Sequence, residues 1–187
     1  AIYNWHSICL LGVPDTADSL AVLKQQLFES HQLSAATLLE ALKNNFAGYE
    51  TLREQLLAGS RKYGNGCDET DRIAADLSRE FIALMDRWSE KDNRLFVHLF
   101  SFYNNVYFGE GVGAMPDGRH AGEPLAYSLS PHQGRDKEGV TMLLRSLAKQ
   151  PHREAGGASA AIIDLHPSLF EGENGVKRFV ALLKSAL

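Results

Sequence analysis

The sequence contains no apolar run near the ~18 consecutive residues a membrane-crossing helix needs, and its start lacks the basic-then-apolar layout of a signal peptide. A cytoplasmic protein is expected. Basic charge is not in excess either: a net charge of −4 and a pI near 6.0 leave no electrostatic footprint for nucleic acid or an anionic membrane. Cysteine is scarce. Cys9 and Cys67 lie far apart with neither C-x-x-C nor Cys/His ligand spacing, so two free thiols are expected in a reducing compartment. His6, His31, His98, His120, His132, His152 and His166 are scattered without an H-x-x-x-H pair, which argues against a zinc site. The phosphate-loop, dinucleotide and serine-hydrolase signatures G-x-x-x-x-G-K-[ST], G-x-G-x-x-G and G-x-S-x-G are also missing.

What is present is an ordinary globular composition, 44% hydrophobic and 22% charged over 187 residues, enough for one domain with a full core. The chain opens at Ala1 straight into the apolar-aromatic stretch Ile2 to His6, which reads as a cut from something longer. Residues 1–14 read as an irregular or extended lead-in. Asp15 then offers a helix N-cap, with Asp18 placed to favour the first-turn amides, and a helix to about Ser30 carries Leu20, Leu23 and Leu27 on one face. Ser34 restarts the pattern with Leu39, Leu42 and Phe46, closing at Gly48. Tyr49, Leu52 and Leu56 define a third helix, and Lys62 to Gly66 is a turn by composition. The longest helix runs from about Asp68 to Ser89 on the stripe Ile73, Leu77, Phe81, Leu84 and Trp88.

Beyond residue 92 the mostly helical character gives way to strand, loop, helix, strand and helix. Leu95 to Phe108, apolar on both alternating faces, suits a strand covered on both sides. A helix on Val140, Leu143, Leu144 and Leu147, a buried strand over Ala160 to Leu165 and a last helix on Val176, Phe179, Val180 and Leu183 follow. This order predicts an α/β fold with a largely parallel sheet. Two strands cannot make such a sheet alone, so others hide in the loops or lie in sequence not present.

Met115 to Gly139 is far longer than the usual connection of about 4–6 residues. Pro116, Pro124 and Pro131 restrict its path, Gly118, Gly122, Gly134 and Gly139 permit sharp bends, and its mixed charges can pair locally. An ordered wrapping loop is expected. Within it Pro116, Asp117, Gly118 and Arg119 either present an arginine to an anionic ligand or form a turn whose arginine pairs internally. Upstream, Gly66-Cys67-Asp68-Glu69 sets a thiol beside carboxylates at a helix start. That pattern suits a nucleophile or radical site, or plain turn and capping residues, and no partner base is evident.

The loop Met-Pro-Asp-Gly-Arg-His-Ala-Gly-Glu-Pro-Leu-Ala at 115–126, Ser-Pro-His-Gln-Gly-Arg-Asp-Lys-Glu-Gly-Val-Thr at 130–141 and Ser-Leu-Ala-Lys at 146–149 resemble the glycyl radical enzymes, the family of pyruvate formate-lyase and the glycerol and hydroxyproline dehydratases. Ala17 to Ala21, Asn45 to Glu50, Lys62 to Asn65, His166 to Leu169 and Gly175 to Phe179 extend the resemblance over nearly the whole chain. It implies a ten-stranded α/β barrel of two half-barrels, of which residues 1–187 are a late part. It further implies a glycyl radical installed by an S-adenosylmethionine and iron–sulfur activating enzyme, a thiyl cysteine in Gly-Cys-x-Glu that takes a hydrogen atom from a small-molecule substrate, and a homodimer when complete.

The family's Arg-Val-x-Gly-Tyr loop with the radical glycine is absent, and its Gly-Cys-x-Glu motif should precede the Pro-Asp-Gly-Arg loop in sequence not present. Cys67 and Glu69 follow Lys-Tyr-Gly-Asn and are read as a coincidence of letters. This leaves no catalytic residue in the chain. Matching back from Pro167, the resemblance puts Ala161 and Ile163 on the substrate-pocket wall, and period-two alternation sets them on one face with Leu165; plain core residues are the equal alternative. The expected function is a segment of a lyase cleaving C–O, C–N, C–S or C–C bonds, inactive in isolation. The rivals are a stand-alone non-catalytic interaction domain and a trimmed fragment with no separate role.

Overall fold

The computed structural model describes residues 4–58, 61–101, 104–172 and 174–184. Three parallel strands, β1 (Trp5–Cys9), β2 (Arg94–Leu99) and β3 (Gly156–Ser159), form a sheet in the order β1-β2-β3. Trp5 to Cys9 pair in register with Arg94 to His98, and Val97 and Leu99 face Gly156 and Ser159 across a bulge. The parallel α/β arrangement agrees with the sequence reading. The missing third strand is β1, inside the stretch read as an irregular or extended lead-in.

Four helices link β1 to β2: α1 (Val13–Val22), which runs on into a π-helical stretch Leu23–Glu29, α2 (Ala35–Lys43), α3 (Glu50–Ala58) and α4 (Asp68–Trp88). Helix α2 starts as Ser34 predicts, its side chain accepting the Thr37 amide at 3.0 Å. Between β2 and β3 come α5 (Asn104–Glu110), the long loop and α6 (Val140–Ala148). A 3₁₀ turn Pro167–Phe170 and α7 (Gly175–Lys184) end the described chain. Helices α4 and α6 cover one face of the sheet: Ile82, Val97, Leu99, Leu129, Leu143 and Leu147 form one apolar cluster. On the opposite face Trp5 packs against Phe96 with ring centroids 4.8 Å apart, and Trp5 stays largely exposed.

Several expectations need correction. Helix α1 begins at Val13 behind Gly12, whose φ of 78° suits glycine, so Asp15 is not the cap. The most deeply buried residues of α4 are Thr70, Asp71, Ala74, Ala75, Ser78 and Ile82. Of the expected stripe, Ile73, Leu77 and Phe81 are half-buried against the core, whereas Leu84 and Trp88 are exposed; small residues let α1 come close, as Val13, Ala17, Tyr63 and Ala74 cluster there. In α2, Leu38 and Ala41 are buried and Leu39 is exposed. Leu95 to Phe108 is not one strand. It breaks after Leu99, and α5 is pulled to the loop by Asn105, which bonds Leu125 through both backbone and side chain.

The strand expected over Ala160 to Leu165 forms instead at Gly156–Ser159. Gly157 lies so close to β2 that a Cβ there would meet the Val97 carbonyl at 2.6 Å and the His98 ring at 2.7 Å. After Ser159 the loop takes the bonding groups a ladder would use: Leu129 donates to the Ala160 carbonyl at 3.1 Å, and the Ile162 amide donates to Ser130 Oγ at 2.7 Å. On α7, Val176, Val180 and Leu183 are exposed, so its apolar stripe is uncovered by the described residues.

Candidate functional site

In parallel α/β sheets, sites form beyond the C-terminal ends of the strands. Here those ends meet the middle of the long loop. Ser101 and Ser128 bond reciprocally, each backbone amide donating to the other's hydroxyl at 3.0 and 2.9 Å. With Leu129 and Ser130 bonded to Ala160 and Ile162, residues 125–131 seal the end of β2 and the continuation of β3.

A buried ionic network fastens the loop behind this seal. Asp15 and Asp18, on the same face of α1 at a three-residue spacing, point away from α1's own first-turn amides. Asp15 accepts the Ala126 amide at 2.6 Å and pairs with His132 at 2.6 Å. Asp18 accepts the Tyr63 amide at 2.7 Å and pairs with Arg135 at 3.3 Å; Arg135 also bridges to Asp117. Lys62 Nζ donates to the Asp117 carbonyl at 3.0 Å. From the turn before α4, Asn65 accepts the amides of Lys137 and Glu138 at 2.7 and 3.1 Å and donates to the Arg135 carbonyl at 2.9 Å. Five residues remote in sequence thus hold both ends of the loop.

Burial dominates the electrostatics. It pushes the Asp18 carboxyl up to about 6, against the pull of Lys62 and Arg135, and it lowers the Lys62 ammonium below the usual lysine range, with Asp18 opposing. It also works against the Arg135 charge, but the Asp117 and Asp18 carboxylates outweigh it and hold Arg135 above the ordinary arginine value.

Of the residues singled out from sequence, Pro116 and Asp117 occupy the middle of a turn closed by Gly118 donating to the Met115 carbonyl at 3.0 Å. Gly118 (φ 96°) packs on Leu57, 2.9 Å from where a Cβ would stand. Arg119 is fully buried. Its guanidinium donates to five backbone carbonyls: Gly109 at 2.7 Å, Gly113 at 2.9 Å, Val112 at 3.3 Å, Pro124 at 3.4 Å, and Glu123. It thereby caps the C-terminal end of α5, where carbonyls lack helical partners, and presents no donor to a ligand.

Cys67 is the N-cap residue of α4, its sulfur 3.6 Å from the Thr70 hydroxyl, and Glu69 pairs with Lys24 and Arg61. Neither lies at the strand ends. Ala161 is exposed, and Ile163 is half-buried against the cluster shared by α4, α6 and β2. Among the described residues no three His, Cys, Asp or Glu side chains group as a metal site, and no helix is long and apolar enough to cross a membrane. Sequence reasoning missed Asp15, Asp18, Lys62, His132 and Arg135 as one network. The available signal was acidic residues on the inner face of an otherwise apolar helix.

Residues 1–109 match the family model described as pyruvate formate lyase-like. Trans-4-hydroxy-L-proline dehydratase of Clostridioides difficile is 31% identical over 186 residues, covering 99% of this chain and 23% of that protein. The B12-independent glycerol dehydratase from Clostridium butyricum superposes with a TM-score of 0.92 at 30% identity, and a glycyl radical enzyme from Archaeoglobus fulgidus with 0.89 at 31%. Each of these structures covers all of this chain, which spans 24% of theirs. The chain thus spans less than a quarter of the relatives it matches. With the family model covering more than half of the chain, and all three relatives agreeing in kind, this protein belongs to the pyruvate formate lyase-like family, the glycyl radical enzymes.

Proposed function

We propose that this chain is one segment of a glycyl radical lyase barrel, of dehydratase type, that cleaves a C–O, C–N, C–S or C–C bond of a small molecule. The observation carrying this reading is that the whole chain superposes on under a quarter of a glycerol dehydratase while its sheet ends in β1 and β3, each paired on one side among the described residues. Those sides suit the neighbouring strands of a larger barrel.

In the complete enzyme the glycyl radical, installed by an S-adenosylmethionine and iron–sulfur activating enzyme, would supply hydrogen-atom abstraction chemistry. Cys67 and Glu69 do not fit that chemistry: one caps an outer helix and the other is tied to two cations on the same side. The chain's own part is to build wall and seal. Ala161 and Ile163 are the candidate pocket-wall residues; the exposure of Ala161 suits that role, and Ile163 also packs against the core. The latched segment 125–131 closes the strand ends and keeps water from a reactive site. The complete enzyme would be a cytoplasmic homodimer, and the isolated chain inactive.

The test is the intact native mass, with terminal sequencing, of the protein carrying these peptides in its source cells. A mass several times 20.6 kDa, with Gly-Cys-x-Glu upstream and a radical-glycine loop downstream, is expected. A native mass near 20.6 kDa overturns the reading.

A further inference from the structure

On the helical side, away from the strand ends, a cavity of about 300 Å³ opens between α1, the π-helical stretch, α3 and the Arg61–Lys62 segment. Two buried opposite charges line it, the Asp18 carboxylate and the Lys62 ammonium, 1% and 4% exposed; a third charge, Arg61, is exposed and is paired with Glu69 at 3.3 Å. Neither Asp18 nor Lys62 is saturated by the latch. Lys62 Nζ has three protons and gives one to the Asp117 carbonyl, the other two meeting no acceptor among the described residues. Each Asp18 oxygen accepts a single hydrogen bond and can take a second.

Around these charges stand four amide side chains, Gln25, Gln26, Gln32 and Gln55, none of which bonds to another described residue. Leu33 and Leu56 supply an apolar floor. Two of the amides sit on the π-helical stretch, a geometry that is rare and recurs at functional sites.

We propose that this cavity is a binding site for a free α-amino acid with a polar side chain. The ligand's carboxylate meets Lys62, its ammonium meets Asp18, and its side chain lies among the glutamine amides over Leu33 and Leu56. Charge complementarity carries the choice of a zwitterion. A simple anion would gain Lys62 but face Asp18, and a simple cation would meet the reverse. A cavity of this size, at the small end of ligand sites, suits one such molecule. The inference is independent of the lyase reading, because binding is measured without turnover.

The experiment is isothermal titration calorimetry of the complete native protein that carries this chain, with L-glutamine and with glutaramate, the same skeleton without the ammonium. Saturable binding of L-glutamine is expected, with glutaramate weaker by about tenfold or more, the loss of one charge-assisted contact. Leu33→Trp, which fills the cavity from its side, is expected to abolish the heat, and Gln26→Ala on the half-exposed rim to weaken binding about fivefold, the loss of one amide contact. No saturable heat with either compound up to about 10 mM overturns the proposal, since that is weaker than the about 4 kcal/mol of a millimolar site. Equal affinity for the two compounds, or binding unchanged in both variants, overturns it as well.

Discussion

Replacing Arg119 by alanine tests whether the loop is built around one buried cation. Five backbone carbonyls converge on the guanidinium, from the end of α5 and from Val112, Gly113, Glu123 and Pro124. Each carbonyl left buried without a donor costs about 1–3 kcal/mol. Water entering the vacated space would satisfy part of that set, as buried waters typically make about three bonds. The remaining loss is about 4 kcal/mol, near the upper end for single substitutions. For a chain of this size that lowers the melting temperature by about 10–15 °C. Arg119→Lys restores the charge with three donors in place of five and should fall between the two. The most specific readout is chemical rescue, because free guanidinium has the shape of the missing group. At about 50 mM, where it lowers stability by no more than about 0.3 kcal/mol, it should raise the melting temperature of Arg119→Ala and not that of the parent. An alanine variant melting within about 2 °C of the parent, as for an ordinary surface substitution, would refute the reasoning.

The raised Asp18 carboxyl makes a signed prediction. A folded pKa of about 6 against an ordinary 3.8 means its contribution to stability is fully present below the ordinary value and is lost as pH rises through about 6. Its size is roughly 3 kcal/mol, and Asp18→Asn should flatten the melting profile between pH 4 and 6, whereas an unchanged profile would place the titration elsewhere. Gly157→Ala pushes a methyl into the Val97 carbonyl, so a loss of about 2–3 kcal/mol is expected by chemical denaturation, with a neutral result meaning that β3 does not pair as described. In the complete enzyme Ala161→Phe should depress turnover, and unchanged turnover would remove Ala161 from the pocket.

The sequence by itself determined the α/β class, the parallel sheet, the extents of α3 and α4, the Ser34 cap and the ordered character of the long loop. These follow from local physics: apolar periodicity, a hydroxyl at a cap, and proline and glycine at fixed points in a charge-balanced segment. The motifs around Pro116 to Arg119 were also enough to indicate the family.

Only the tertiary structure decided where the strands stop and which groups face each other. Ala160 to Leu165 has the composition of a strand, but its backbone bonds go to Leu129 and Ser130, a competition no local pattern records. The α4 stripe packs against the core through Ile73, Leu77 and Phe81 as expected, but its Leu84 and Trp88 end is exposed, and close approach of α1 leaves the small face of Ala74, Ala75 and Ser78 the most deeply buried. Asp15 and Asp18 looked like capping residues, since acids in a first helical turn usually are. Of their real partners, Tyr63 lies 45 residues away and Ala126, His132 and Arg135 more than a hundred, and such pairing comes from burial and chain topology, which spacing along the sequence does not encode.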